Sequence, residues 1–166
     1  MPTTTAERRL IARVQQIWQK AAGRSYPRRS QIDPAAFGAD WANCFMIDLD
    51  ETTSRSRFSH LGNALQDLTW PTFERQCIGD CLEGSLLELA TRRVPQLKEK
   101  KQALTFFGSA IHQEAGILYR TVLLPLSENG KQIDGVLGAI GYREIATDEG
   151  FSVHTPAASE RGIRAA

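Results

Sequence analysis

Apolar and polar positions fall in blocks along this chain, and the densest block is residues 118–142, LYRTVLLPLSENGKQIDGVLGAIGY. Two apolar runs flank the polar island SENGKQ at residues 127–132. Asn-Gly between β-prone runs predicts a hairpin, because both residues tolerate the positive φ that tight turns need. The island is longer than two residues, so the loop is a few residues wide, with Gly130 at the left-handed position. Gly135, Gly138 and Gly141 interrupt the second run among Val136, Leu137, Ala139 and Ile140. Glycine inside a strand marks a bulge or a close approach to the backbone. Neither run alternates cleanly, which predicts a sheet covered on both faces.

Upstream, Leu10, Ile11, Val14, Ile17, Trp18, Ala21 and Ala22 recur at helical spacing, with Arg9, Arg13, Gln16 and Lys20 on the other side. Thr4 and Glu7 fit a capping box, and Gly23 a C-terminal stop. So short a helix needs a dock for its stripe. The outer face of the chain's own sheet and the matching helix of a second copy compete for that role. Residues 24–41 read as an ordered connector, with Asp33 capping a short turn at Pro34. Residues 42–50 and 55–61 read as tightly joined antiparallel strands. Residues 62–94 read as helical in at least two pieces, broken near Trp70-Pro71 and Gly79. The longer piece carries Ile78, Leu82, Leu86, Leu89, Ala90 and Val94 on one face and ends at Pro95. A charged linker, residues 96–102, leads to a third strand at 103–113. Residues 114–116 then turn into the central hairpin.

The expected fold is α+β, with a five-stranded antiparallel sheet, helices packed on one face and an N-terminal amphipathic helix. The organisation that follows is an N-terminal helix at 1–23, a domain at 24–146 and a disordered tail at 147–166.

Composition narrows the class. Lys plus Arg total 20 against 19 for Asp plus Glu, which argues against a dedicated nucleic-acid binder. Local basic groups at Lys20, Arg24, Arg28 and Arg29, and at 92–101, read as solvated surface. The N-terminus lacks a secretory layout, no apolar run is long enough for a bilayer, and three cysteines without paired spacing fit a reducing compartment. A soluble cytoplasmic protein with no membrane contact is the expectation.

The element order, the opening Tyr119-Arg120 before LLPL (123–126), and DGVLG (134–138) together resemble a PAS domain. More narrowly, the chain is similar to the short stand-alone bacterial PAS-like proteins. Trp18 on the first helix, Pro27, Arg28 or Arg29, Ile32-Asp33-Pro34, Arg57-Phe58, Gly62 and Asp67-Leu68-Thr69 carry that likeness, over roughly residues 11–144. Members tend to have Gly-Thr after the second strand and glycines flanking the Asp-Leu-Thr, where this chain has Gly62-Asn63, and Gln66 and Trp70. The resemblance implies a non-enzymatic sensory or signalling regulator, a homodimer formed through its first helix, and an unidentified signalling protein as partner. The alternative reading is a small-molecule-binding protein with a pocket between sheet and helices.

For the ligand reading, Trp70 and Phe73 lie where PAS helices close over the cavity, and Tyr142 lies on a central strand. Arg120, inside an apolar strand, needs a carboxylate or an anionic ligand if buried. Those four residues are the candidate ligand contacts, and Leu10, Ile11, Val14, Ile17 and Trp18 the docking or dimer surface. Ordinary core packing is the plain alternative for the aromatics. Cys77 and Cys81 would share one face of a continuous helix, where a metal clamp needs further ligands and only His60 and His112 lie within the fold. Small buried thiols are the simpler reading, and no metal is expected. By the resemblance, haem and flavin are disfavoured. Residues 63–94 hold no histidine, and the run Arg75-Gln76-Cys77-Ile78-Gly79 does not match that of flavin photosensors. The ligand itself stays unspecified. No nucleophile elbow, phosphate loop or zinc-protease motif points to an enzyme.

Overall fold

The N-terminal apolar stripe folds as α1, Thr5–Ala22, and stops where expected, at Gly23 with φ 57°. The structure is a computed structural model that describes residues 5–66 and 76–145, and residues 161–165 by backbone. Thr4, the expected cap, lies outside them. Asp33 accepts a hydrogen bond from the Ala35 amide at 3.0 Å and so caps α2, Pro34–Phe37, as its sequence predicts. Strands β1, Cys44–Asp48, and β2, Arg57–Leu61, form the first antiparallel pair. After α3, Asn63–Gln66, the crossing continues through a 3-10 turn at Ile78–Asp80, then α4, Leu86–Thr91, and α5, Val94–Lys100. Strands β3, Leu104–His112, β4, Ala115–Leu126, and β5, Gly135–Ile145, complete a meander.

The fold is α+β with an antiparallel sheet. Its order is β2-β1-β5-β4-β3, extended at the β3 edge by a sixth strand, β6, Arg161–Ala165. The sequence pattern predicts five strands and a tail at 147–166. Alternation is too short in Arg-Gly-Ile-Arg-Ala to announce a strand, and β6 pairs with β3 at only three positions.

Helices cover both faces, as the lack of alternation predicts, and the outer face takes α1 together with α2, which the expected fold groups with the helices of a single face. On one face α3, α4 and α5 enclose Phe45, Phe58, Phe106, Tyr119, Leu123 and Ile140. On the other, α1 and α2 cover Cys44, Met46, Val122, Leu124, Leu137 and Ala139. Double coverage is the physical reason that β4 and β5 do not alternate.

The crossing is corrected in three places. Pro95 starts a helix instead of ending one, because proline in the first turn has no amide to lose. Residues read as charged linker therefore belong to α5. Leu82, expected on the buried face, is 64% exposed. The β3–β4 hairpin turns at Gln113 and Glu114, both with positive φ, one residue earlier than its sequence predicts, and Gly116 is already in β4.

In the central loop Gly130 has φ 75°, as its sequence predicts. Asn129 Oδ1 accepts from the amides of Lys131 (2.9 Å) and Gln132 (2.8 Å) and holds the loop shut. The β5 glycines mark close approaches. A Cβ at Gly138 would sit 2.1 Å from the Phe45 ring on β1, its direct cross-strand neighbour. A Cβ at Gly141 would sit 3.2 Å from the Cβ of Glu7 on α1.

Candidate functional site

The helix α1 lies on the outer face of its own sheet, against β4 and β5. Ile11 and Val14 are buried there, while Leu10, Ile17, Trp18 and Ala21 pack at the margin, half-buried. Burying side chains of this size contributes about 1.5–3 kcal/mol each, so Ile11 and Val14 hold the dock. Polar pins fix its angle. Trp18 Nε1 donates to the Pro125 carbonyl at 2.9 Å, and Gln15 donates to the Thr105 hydroxyl at 3.3 Å. Arg13 grips Asp40 with two bonds, of 2.6 and 2.8 Å. That pair raises the Arg13 pKa through its hydrogen bond with Asp40, but as a half-exposed pair it adds at most about 1 kcal/mol. Glu7 is buried at the other end, 3.6 Å from Arg143 of β5.

The end of α1 borders two adjoining hollows of about 460 and 300 Å³, between the helix, the connector at 24–28 and the central loop. Trp18 and Tyr26 wall the first with their polar atoms already committed, Tyr26 donating to the Lys101 carbonyl at 2.7 Å. Arg24 also lines the first hollow and Arg28 the second. No sequence signal pointed to this cleft, because its walls come from segments 100 residues apart.

Of the four candidate ligand contacts, Arg120 and Tyr142 lie on opposite faces of the sheet. Trp70 and Phe73 lie outside the described residues. Tyr142 faces the α3 side and donates to the Ala64 carbonyl at 2.9 Å. Arg120 follows Tyr119, which faces that same side, so Arg120 points to the α1 side. There it is half-buried, its guanidinium 5.5 Å from the centre of the Phe107 ring. The face that Tyr142 shares holds instead an unanticipated polar group. Thr121 is fully buried, and its hydroxyl has no hydrogen-bond partner.

Cys77 and Cys81 flank the 3-10 turn at Ile78–Asp80 and so do not share a helix face. Burial pushes the Cys81 thiol up to about 11 and the fully buried Cys44 thiol up to about 12. Among the described residues no group of three His, Cys, Asp or Glu side chains is placed to hold a metal. His112 ends β3, half-buried. His60 stacks on Trp41, ring centres 4.1 Å apart and planes at 12°. Burial lowers its pKa. Among the described residues no helix is long and apolar enough to cross a membrane.

No protein-family model, curated protein or solved structure matches the chain.

Proposed function

We propose that the protein is a non-enzymatic, PAS-like sensory or signalling regulator that acts through dimerisation and partner binding. The observation that carries the reading is the docked helix. Its buried residues hold it to the sheet, and a second row, Leu10, Ile17 and Trp18, is left half-covered at the margin. A second copy would complete that cover. The element order supports the same reading: a helix, two strands, a helical crossing, then a meander whose last strand returns beside the first. That is the order on which the resemblance to PAS domains rests. Leu10→Glu with Ile17→Glu should give a monomer by light scattering with the circular dichroism of the fold kept. A dimer that survives both charges would contradict this interface.

A second reading, a small-molecule-binding protein, is favoured by Thr121. A buried hydroxyl without a partner costs about 1–3 kcal/mol, which an accepting or donating ligand would recover. Thr121→Val decides between the two. If a ligand uses the hydroxyl, the retained small molecule is lost from the purified variant. If none does, the variant is as stable as the parent or more so, since both are the same shape and only the orphan group has gone.

A further inference from the structure

Met46 and His60 are opposite one another in the antiparallel pair of β1 and β2. Opposed residues in such a pair have Cα atoms about 4.5–5.5 Å apart and side chains on the same face. Cys44 is two residues along β1 and belongs to the same outer-face core as Met46. A thioether, an imidazole and a thiol therefore stand at neighbouring positions on the outer face, with the Trp41 ring stacked on the imidazole.

The imidazole is unusual. Its Nε2 is sealed from solvent and has no hydrogen-bond partner. In the tautomer with its proton on Nδ1 such a ring presents Nε2 as a bare lone pair, the form in which imidazole ligates a metal. Phe37 backs Trp41 at 5.0 Å, so the ring over His60 is itself held in place.

We propose that Met46, His60 and Cys44 are the donor set of a site for a soft monovalent metal ion, of which copper(I) is the biological example. Softness follows from the donors, since thioether and thiol sulfur select copper(I) over hard cations. The single charge follows from the surroundings. Asp40 commits both carboxylate oxygens to Arg13 and Asp48 is paired with Arg29, so these two neighbouring carboxylates are already matched by cations and do not offset a dication. A buried charge without a counter-charge is costly, and the cost rises steeply with valence. Zinc would also want four nitrogen and sulfur ligands, with thiolates among them. Met46 and the neutral imidazole need lose no proton to bind. Cys44, whose Sγ lies 3.3 Å from the Asp40 carbonyl, is the third donor. It gives up its proton to solvent on binding, and the thiolate then neutralises a single positive charge but not a double one.

The test uses the full chain with ¹³C-methyl methionine. The sequence has two methionines, Met1 and Met46, so the Met46 signal is assigned by Met46→Leu. Cys77→Ser and Cys81→Ser remove competing thiols. Silver(I) serves as the redox-inert probe, and copper(I) is then competed against bicinchoninate. One equivalent of silver is expected to move the Met46 methyl signal, and zinc to leave it in place. His60→Gln and Met46→Leu should each weaken copper(I) binding by about tenfold or more, as loss of a ligand or its supporting partner does. Should His60→Gln fail to fold, Met46→Leu followed at the His60 Hε1 proton makes the same test. A methyl signal that stays put while Cys44 alone takes up silver would overturn the proposal. So would unchanged affinity in a folded His60→Gln, or a response to zinc in place of silver.

Discussion

Single atoms decide several features of this protein. Gly138 has room for no side chain, because the Phe45 ring occupies the space its Cβ would need. Gly138→Ala should therefore lower stability by about 1–3 kcal/mol in urea denaturation, as overpacking a dense core does. An unchanged midpoint would show that the ring can move aside. The glycine spacing announced a close approach, but only the structure names the visitor. His60 gives a pH signature. Burial lowers its pKa below the ordinary value of 6.5, so the unfolded chain binds the proton more readily. Its contribution is complete above that value and is lost as pH falls through about 6.5 towards the folded pKa. Stability should thus decline on acidification in that window, and His60→Gln should flatten the slope. Equal slopes in parent and variant would assign the effect to other groups. His60 was legible as a strand residue. Its isolation was not, since it depends on Trp41 folding back over the strand.

At the scale of elements, strands were easier to read than the crossing. Turn chemistry and β-branched runs are local, so the bounds of β1 to β5 fall within two residues of their sequence expectation, apart from the start of β4 and the end of β5. The crossing was misread because Pro95 can either end a helix or begin one, and only the packing of Leu97 against the sheet decides. A local signal for the break was present in Ser85-Leu86-Leu87-Glu88. Ser85 accepts from the Glu88 amide at 3.2 Å, and Glu88 reaches back to the Gly84 amide at 3.2 Å. This cap starts α4 anew instead of letting one helix run through. Ser85→Ala should cost about 1 kcal/mol in thermal or chemical denaturation, while Ser85→Asp should keep most of the stability. Equal losses in both would mean that the cap is not what holds α4.

For the molecule as a whole, the sheet and its double cover were legible, and the assembly of a site was not. Lack of alternation in residues 118–142 told of cover on both faces, and the amphipathic first helix supplied one cover. The cross-strand register that sets Arg120 opposite Gly141, and so on the other face from Tyr142, is not legible in the sequence, where the pocket rests on the resemblance and on an arginine inside an apolar strand. The cleft at the end of α1 had no local signal at all. What the whole account turns on is the margin of α1, Leu10, Ile17 and Trp18, as a surface that a second copy completes. Native mass spectrometry of the freshly purified full chain, with the denatured mass as control, tests it most directly. The account predicts a dimer at micromolar concentration that Leu10→Glu with Ile17→Glu converts to monomer. A wild-type chain that is monomeric at every concentration would contradict it, and α1 would then be only a cover for its own sheet.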